Sequence, residues 1–415
     1  MQTTIADHLK NDNRAIAAEA VLRKCVHCGF CLATCPTYNL LGDELDSPRG
    51  RIYLIKQVVE GRVATIDTAK HLDRCLTCRS CETTCPSGVE YSHLLEQGRS
   101  LVEETQTRPL KYKLIKKAVV TVLPHPARIG PLVRLGQWLR PVLPKSLKCR
   151  IPERRSLSLS LKQSSTSTSR KMLVLDGCVQ PSMAPQSNQA AARILAHLGV
   201  ALINIKRAGC CGAIEYHLNE QESAKVQMRK NIDAWWPEVE DGAEAIISTA
   251  SGCGLMLKEY KTALYDDPSY SEKAKRISAL SKDIVEVLSA EDLSPFHNRA
   301  GQFGKVAFHP PCTLQHGQQL PNITEQLLRQ LGFKLTPVAD SHICCGSAGT
   351  YSLFQPTLSK QLRDDKSAAI LAGEPELIAT ANIGCQLQLT TGLQRPVIHW
   401  VELVDQLINT TNSHS

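Results

Sequence analysis

The stretch CVHCGFCLATCP, Cys25 to Pro36, is matched fifty residues later by CLTCRSCETTCP, Cys75 to Pro86. Both have the form C-x2-C-x2-C-x3-C-P, and every cysteine and the closing proline recur at an offset of 50. This is the bacterial spacing for paired [4Fe-4S] clusters. Three thiols two residues apart wrap a short loop around one face of an inorganic cube. The fourth, set off by three more residues and a turn-forming proline, points away and completes the neighbouring cube. The pattern assigns Cys25, Cys28, Cys31 and Cys85 to one cluster, and Cys75, Cys78, Cys81 and Cys35 to the other. Two copies are needed because each finishes the other's ligand set. Structural zinc is the alternative for C-x2-C pairs, but zinc closes with four ligands and does not call for a third thiol at this spacing followed by C-P. The small residues between the thiols (Gly29, Ala33, Thr34, Ser80, Thr83, Thr84) let backbone N–H groups reach the sulfurs and tune potential.

Between the runs, SPRGRIYLIKQVVEG reads as a helix with Ser47 as N-cap, Pro48 in its first turn and Gly61 at its end. Ile52, Leu54, Ile55, Val58 and Val59 recur at helical spacing. Arg49 and Arg51 either neutralise cluster charge or lie on an exposed helix face. The setting is helical, and it resembles the all-helical ferredoxin domain of succinate dehydrogenase and fumarate reductase iron-sulfur subunits.

The rest of the composition bounds the class. The chain has 415 residues, 42% hydrophobic and 21% charged, enough for two or three cores. No run approaches the roughly 18–20 apolar residues of a membrane span, and the first residues are too polar for a signal peptide, so a cytoplasmic chain is expected. Seventeen cysteines, an odd number, then point to metal ligation and not to disulfides. The net charge of +8 is uneven: residues 108–171 hold 16 Lys plus Arg against Glu153 alone, about +15, leaving about −7 elsewhere. This segment, Pro-interrupted at first and Ser/Thr-rich at its end, reads as a basic linker. It is a solvated connector, or else a membrane-surface or partner-docking element in which Leu132, Leu135, Trp138 and Leu139 form one apolar helix face among arginines. The basic residues match no nucleic-acid-binding module, so no nucleic acid partner is expected.

A second repeat governs the C-terminal half. Cys178, Cys210, Cys211 and Cys253 recur as Cys312, Cys344, Cys345 and Cys385, at offsets of 134, 134, 134 and 132. KMLVLDG, EAIISTAS, KVAFHPP and ELIATAN read as strands; NQAAARILAHLG and NITEQLLRQLG read as helices stopped by glycine. The expected architecture is α+β and multidomain: a helical ferredoxin-like domain over 1–107, the linker over 108–171, and two tandem α/β layered repeats over 172–300 and 301–415. Their cysteines fall at the carboxyl ends of strands, where open sheets gather chemistry. Adjacent cysteines make poor structural disulfides. The eight thiols are a possible additional metal site, a thiol-redox site, or buried inert side chains. Gly212 and Gly346 beside them permit a close or left-handed backbone. His27, His217, His309, His316 and His342 are scattered near the cysteines and read as structural, and no catalytic pair is found.

At these residues the chain resembles the CCG-domain proteins, among them components of heterodisulfide reductase and of anaerobic glycerol-3-phosphate dehydrogenase, and lactate-utilisation iron-sulfur proteins. That pattern has a final cysteine three residues after the third motif, where this chain has Met256 and Gln388. A noncubane cluster of the heterodisulfide reductase kind is therefore not implied. Over nearly the whole chain, LLGDELD, PRGRIYLIKQV, HLDRCLTCR, NIDAWWP, CTLQH, CCGSAGTY and TANIGCQ resemble the iron-sulfur subunits of bacterial glycolate oxidase. The resemblance implies FAD-binding glycolate oxidase subunits as partners, glycolate oxidised to glyoxylate on them, electrons passed by this chain toward the respiratory chain, and a peripheral position on the inner face of the inner membrane. The residues agree: no G-x-G-x-x-G follows a strand and there is no P-loop, so the flavin belongs to another chain. Alternatives are the iron-sulfur subunit of a lactate or glycerol-3-phosphate dehydrogenase, a thiol-disulfide reductase, or a structural anchor.

Overall fold

The computed structural model describes residues 1–144, 148, 151–153, 170–393 and 395–411. The Ser/Thr-rich end of the basic segment, and Cys149, lie outside the described residues.

The N-terminal domain is helical. Its main helices are α1 (Asn13–Lys24), α2 (Pro48–Val59), α3 (Ile66–Asp73) and α4 (Tyr91–Thr105). Helix α2 starts as its sequence predicts, with the Gly50 N–H donating to Ser47 Oγ at 3.0 Å and Pro48 in the first turn. It stops before Gly61, whose φ of +91° suits glycine. Helix α4 packs along α1 and α2 over Leu22, Ile55, Leu94 and Leu95, all fully buried. The close approach depends on Gly98, because a Cβ there would lie 2.5 Å from Ile55 Cγ1.

Most of the described part of residues 108–171 is helical: Leu110–Val122 (α5) and Pro126–Leu139 (α6). Proline is tolerated at the start of α6 because the first N–H groups of a helix have no intrahelical acceptor. Ile129 is buried, whereas Leu132, Leu135 and Trp138 are 56%, 52% and 76% exposed. The apolar face expected from the sequence therefore exists and looks outward.

The two C-terminal repeats have the same topology. Strands β1 (Arg170–Val174), β2 (Val200–Asn204), β3 (Ile246–Ser248) and β4 (Ser281–Asp283) form a parallel sheet in the order β2-β1-β3-β4. Strands β5 (Lys305–His309), β6 (Lys334–Leu335), β7 (Leu377–Thr380) and β8 (Ile398–His399) form a second parallel sheet in the order β6-β5-β7-β8. All four strands expected from sequence are present; β2, β4, β6 and β8 are additional. The two expected helices run over Gln186–His197 and Ile323–Gln330 and end before Gly199 and Gly332, at φ +72° and +94°.

The repeats share a core. Met172, Ile194 and Ile247 of the first pack in one cluster with Val306, Phe308, Leu327 and Val404 of the second. The last helix, Trp400–Thr411, lies on Gln186–His197 of the first repeat, where Arg193 Nη2 meets Asp405 Oδ2 at 2.6 Å and Ser187 Oγ donates to Glu402 Oε1 at 3.0 Å. Each repeat thus closes over part of the other.

Candidate metal centre

Two solvent-open cavities lie among the N-terminal helices. The first, about 430 Å³, is lined by Cys25, Cys28, Cys31, Cys81 and Cys85. The second, about 300 Å³, is lined by Cys35, Cys75, Cys78 and Cys81. Each therefore holds three thiols of one run together with the last thiol of the other, and Cys81 and Tyr91 stand at the wall between them.

The loops carrying the thiols have matching backbones. His27 and Gly29 have φ of 55° and 85°, and the residues fifty later, Thr77 and Arg79, have 53° and 61°. Alternating left-handed residues turn successive N–H groups inward into an anion-binding nest. One such N–H, of Thr77, already donates to Cys75 Sγ at 3.4 Å. Three further polar groups lie near the cavities: His27 Nε2, Ser80 Oγ and Tyr91 Oη are buried without a hydrogen-bond partner among the described residues. An inorganic cluster with acceptor sulfides fits this donor set.

The electrostatics point the same way. Burial pushes the Cys31 thiol up to about 11, and raises Cys78 and Cys81 well above the usual thiol range with help from neighbouring cysteines. Such thiols ionise only against positive charge. Arg51, fully buried, supplies some of it on the wall of the second cavity. Its Nε donates to His71 O at 2.7 Å, and its Nη2 to Thr37 Oγ1 at 3.0 Å and Asp46 Oδ1 at 3.3 Å. Asp46, also fully buried, accepts in addition from Arg74 Nη1 at 2.6 Å. Removing one partner of such a network costs about 3–5 kcal/mol, since it leaves a buried charge unmatched. Arg49 lines the first cavity and pairs with Glu44 at 2.7 Å. Both arginines therefore line a cavity, and Arg51 is not on an exposed helix face.

The cavities face different surroundings. Cys28 is exposed, flanked by Val26 and Phe30 at 68% and 64% exposure. Cys78 is buried in a cluster with Leu76, Cys312, Cys344, Tyr351, Leu358 and Leu362. Tyr351 Oη also donates to Arg74 O at 3.1 Å across that seam. His316 bridges it as well: Nε2–H donates to His342 O at 3.1 Å, so Nδ1 accepts from Thr83 Oγ1 at 2.9 Å.

In the first repeat the N-terminal domain is met by ionisable groups: Arg79 pairs with Glu259, and Glu96 lies 3.7 Å from His217 Nδ1. Burial raises Glu96 to about 8, and desolvation with Arg99 and Arg79 lowers His217, so at neutral pH this contact joins two neutral groups and is not an ion pair. Sequence reasoning missed Glu96, Arg79 and Tyr91; nothing but their nearness to the second run marks them.

The repeat cysteines gather at the carboxyl ends of their sheets. Cys211 and Cys253 are in thiol contact at 3.5 Å, and hydrogen bonds from Cys210 and Cys253 hold Cys211 well below the usual thiol range while Cys210 and Cys253 are raised. In the second repeat Cys312 and Cys344 are 3.9 Å apart. Gly212 and Gly346 are left-handed, at φ +90° and +79°, and a Cβ on Gly346 would lie 2.5 Å from Ser359 O.

Comparison with known proteins agrees with this division. A family model described as "4Fe-4S dicluster domain" matches residues 21–89, and one described as "Cysteine-rich domain" matches 172–258 and again 306–390. The chain is thus an iron-sulfur protein of the dicluster, cysteine-rich-repeat class. It is 50% identical over 408 residues to the "Glycolate oxidase iron-sulfur subunit" of Escherichia coli (strain K12), covering 98% of this chain and 99% of the relative. It is 32% identical to the "Probable glycolate oxidase iron-sulfur subunit" of Bacillus subtilis (strain 168), over 93% and 92% of the two chains. "Lactate utilization protein A" of Bacillus licheniformis is 29% identical over 214 residues, 49% of this chain and 84% of the relative. The chain belongs to the family of glycolate oxidase iron-sulfur subunits.

Proposed function

We propose that this chain carries electrons within a glycolate-oxidising complex, with one [4Fe-4S] cluster on Cys25, Cys28, Cys31 and Cys85 and another on Cys75, Cys78, Cys81 and Cys35. The observation that supports it most is the pair of cavities, each lined by three thiols of one run and a stray thiol of the other. Bound there, the clusters would take and pass on single electrons, splitting the two-electron oxidation of glycolate to glyoxylate carried out on FAD-bearing partner subunits. Arg49 and Arg51 offset the negative charge of thiolates and sulfide, and the inward N–H groups of both loops bond to sulfur. The exposed edge at Val26, Cys28 and Phe30 is where a redox partner approaches the first site. The buried edge at Cys78 keeps water from the second.

The chain itself holds no substrate-oxidising site in this reading. Among the described residues no helix is long and apolar enough to cross a membrane. We place the complex on the inner face of the membrane through α6, whose exposed Leu132, Leu135 and Trp138 lie on a helix bearing Arg128 and Arg134. The test is to add glycolate anaerobically to the membrane-bound complex and follow the iron-sulfur signals by electron paramagnetic resonance. Reduction within turnover is expected, together with salt-sensitive release once Arg128 and Arg134 are replaced by glutamine. Clusters that stay oxidised while glyoxylate accumulates would refute electron transfer through this chain.

A further inference from the structure

The second repeat contains a donor set that the first lacks. His309 ends β5 and is 1% exposed, yet neither of its ring nitrogens has a hydrogen-bond partner among the described residues. A buried polar atom left bare costs about 1–3 kcal/mol. The fold does not require the histidine. In the second sheet His309 stands opposite Thr380. In the first sheet the register Leu173–Ile246, Val174–Ile247 continues to Leu175, whose N–H donates to Ile247 O at 3.0 Å. Leu175, three residues before Cys178 as His309 is before Cys312, fills that place at 3% exposure.

The ring faces two thiols. A nitrogen of His309, Cys345 Sγ and Cys385 Sγ all lie within 4.8 Å of one another, and all three residues are buried. Around one tetrahedral ion with bonds of about 2.0–2.3 Å, donors stand about 3.3–3.8 Å apart, so small side-chain rotations close the set. Among the described residues no three of the N-terminal thiols lie so close together, as befits ligands spread over a cube. Cys344, next to Cys345 in the chain, is the neighbouring donor for a fourth corner. The surroundings suit thiolates. Lys366, 3% exposed, brings a buried ammonium near Cys344, Cys345 and Cys385, and Asn382 Nδ2 donates to Cys385 Sγ at 3.7 Å.

We propose that His309, Cys345 and Cys385 bind a single soft divalent metal ion of the zinc class, and that the first repeat, with Leu175 in place of the histidine, does not. Binding displaces the thiol protons to solvent and involves no electron transfer. The ion ties the end of β5, the Cys344–Cys345 loop and the helix Ile383–Leu393 together, directly beneath the cluster of side chains that receives Cys78. Its role is to hold that seam rigid.

The test uses the full chain, purified without oxygen and incubated with zinc(II) under reducing conditions, then analysed for zinc, iron and sulfide and by zinc-edge X-ray absorption. One tightly held zinc per chain with a sulfur shell and imidazole scattering is expected. His309→Leu, which copies the first repeat, should weaken its retention more than ~10-fold, the loss that even a supporting residue produces, while the N-terminal iron stays in place. A wild-type chain that holds no zinc, a zinc shell without imidazole, or full retention in His309→Leu would each overturn the proposal. So would about twelve irons with matching sulfide, which would mean a third cluster here. If His309→Leu fails to fold, the imidazole scattering of the wild-type chain decides alone.

Discussion

The two repeats share a sheet order, a cysteine pattern and a left-handed glycine after the paired cysteines, yet they meet the N-terminal domain in opposite ways. The first presents Glu259 and His217 to Arg79 and Glu96. The second presents Tyr351, Leu358 and Leu362 to Leu76 and Cys78. Duplication preserved the positions of the thiols; what surrounds them sets their chemistry. In the first repeat hydrogen bonds from Cys210 and Cys253 lower the Cys211 thiol, whereas in the second Cys344 and Cys345 are raised by hydrogen bonds to neighbouring thiols and by burial.

The largest expected effect breaks the apolar seam. Leu76→Ala removes a side chain 5% exposed from the cluster around Cys78, and a buried Leu→Ala costs about 2–5 kcal/mol. Chemical denaturation should show that loss, with faster bleaching in air of the second cluster than of the first. Equal bleaching of both would mean that the second repeat does not shield Cys78.

Next come the glycines. Gly346→Ala meets Ser359 O at 2.5 Å and Leu362 Cβ at 2.9 Å, whereas Gly212→Ala meets nothing nearer than Ala224 O at 3.2 Å. Both variants carry the left-handed penalty of roughly 1–2 kcal/mol. Gly346→Ala should therefore be the more destabilising in a thermal melt, and the reverse order would contradict the packing described.

The smallest effect is one of pH and belongs to the polar seam. Glu96 titrates near 8 in the fold against 4.5 when unfolded, because burial disfavours its charge. Between those values the folded chain binds the extra proton, so Glu96 makes stability fall as pH rises from about 4.5 through about 8. Glu96→Gln should flatten the decline of the urea midpoint between pH 6.5 and 8. An unchanged slope would assign it to other groups.

Much of this was legible in the sequence, for identifiable reasons. Ligand spacing is local, so the runs at Cys25 and Cys75 disclose their chemistry without any tertiary knowledge, and the interleaving of Cys35 and Cys85 follows from the same spacing. Strands β1, β3, β5 and β7 are continuous apolar runs because they are the inner strands of parallel sheets. The edge strands β6 and β8 are only two residues long and carry no such signal. In the basic segment the apolar helix face was legible from spacing, but the helix bounds were not, because Pro126 begins the helix and Pro131 lies inside it. His309 was visible but unremarkable, since its significance lies in the contrast with Leu175 across two sheets and in nitrogens left bare by folding. Contacts such as Arg79 with Glu259 span 180 residues, and no local pattern encodes them.

The crossed assignment of the two stray thiols is the claim to test most directly. Cys35→Ser and Cys85→Ser variants, purified anaerobically, should be compared by electron paramagnetic resonance and iron content. The account predicts that Cys35→Ser loses the signal also lost in Cys78→Ser, and that Cys85→Ser loses the one lost in Cys28→Ser. If Cys35→Ser instead matches Cys28→Ser, each run closes on its own cluster and the account is contradicted.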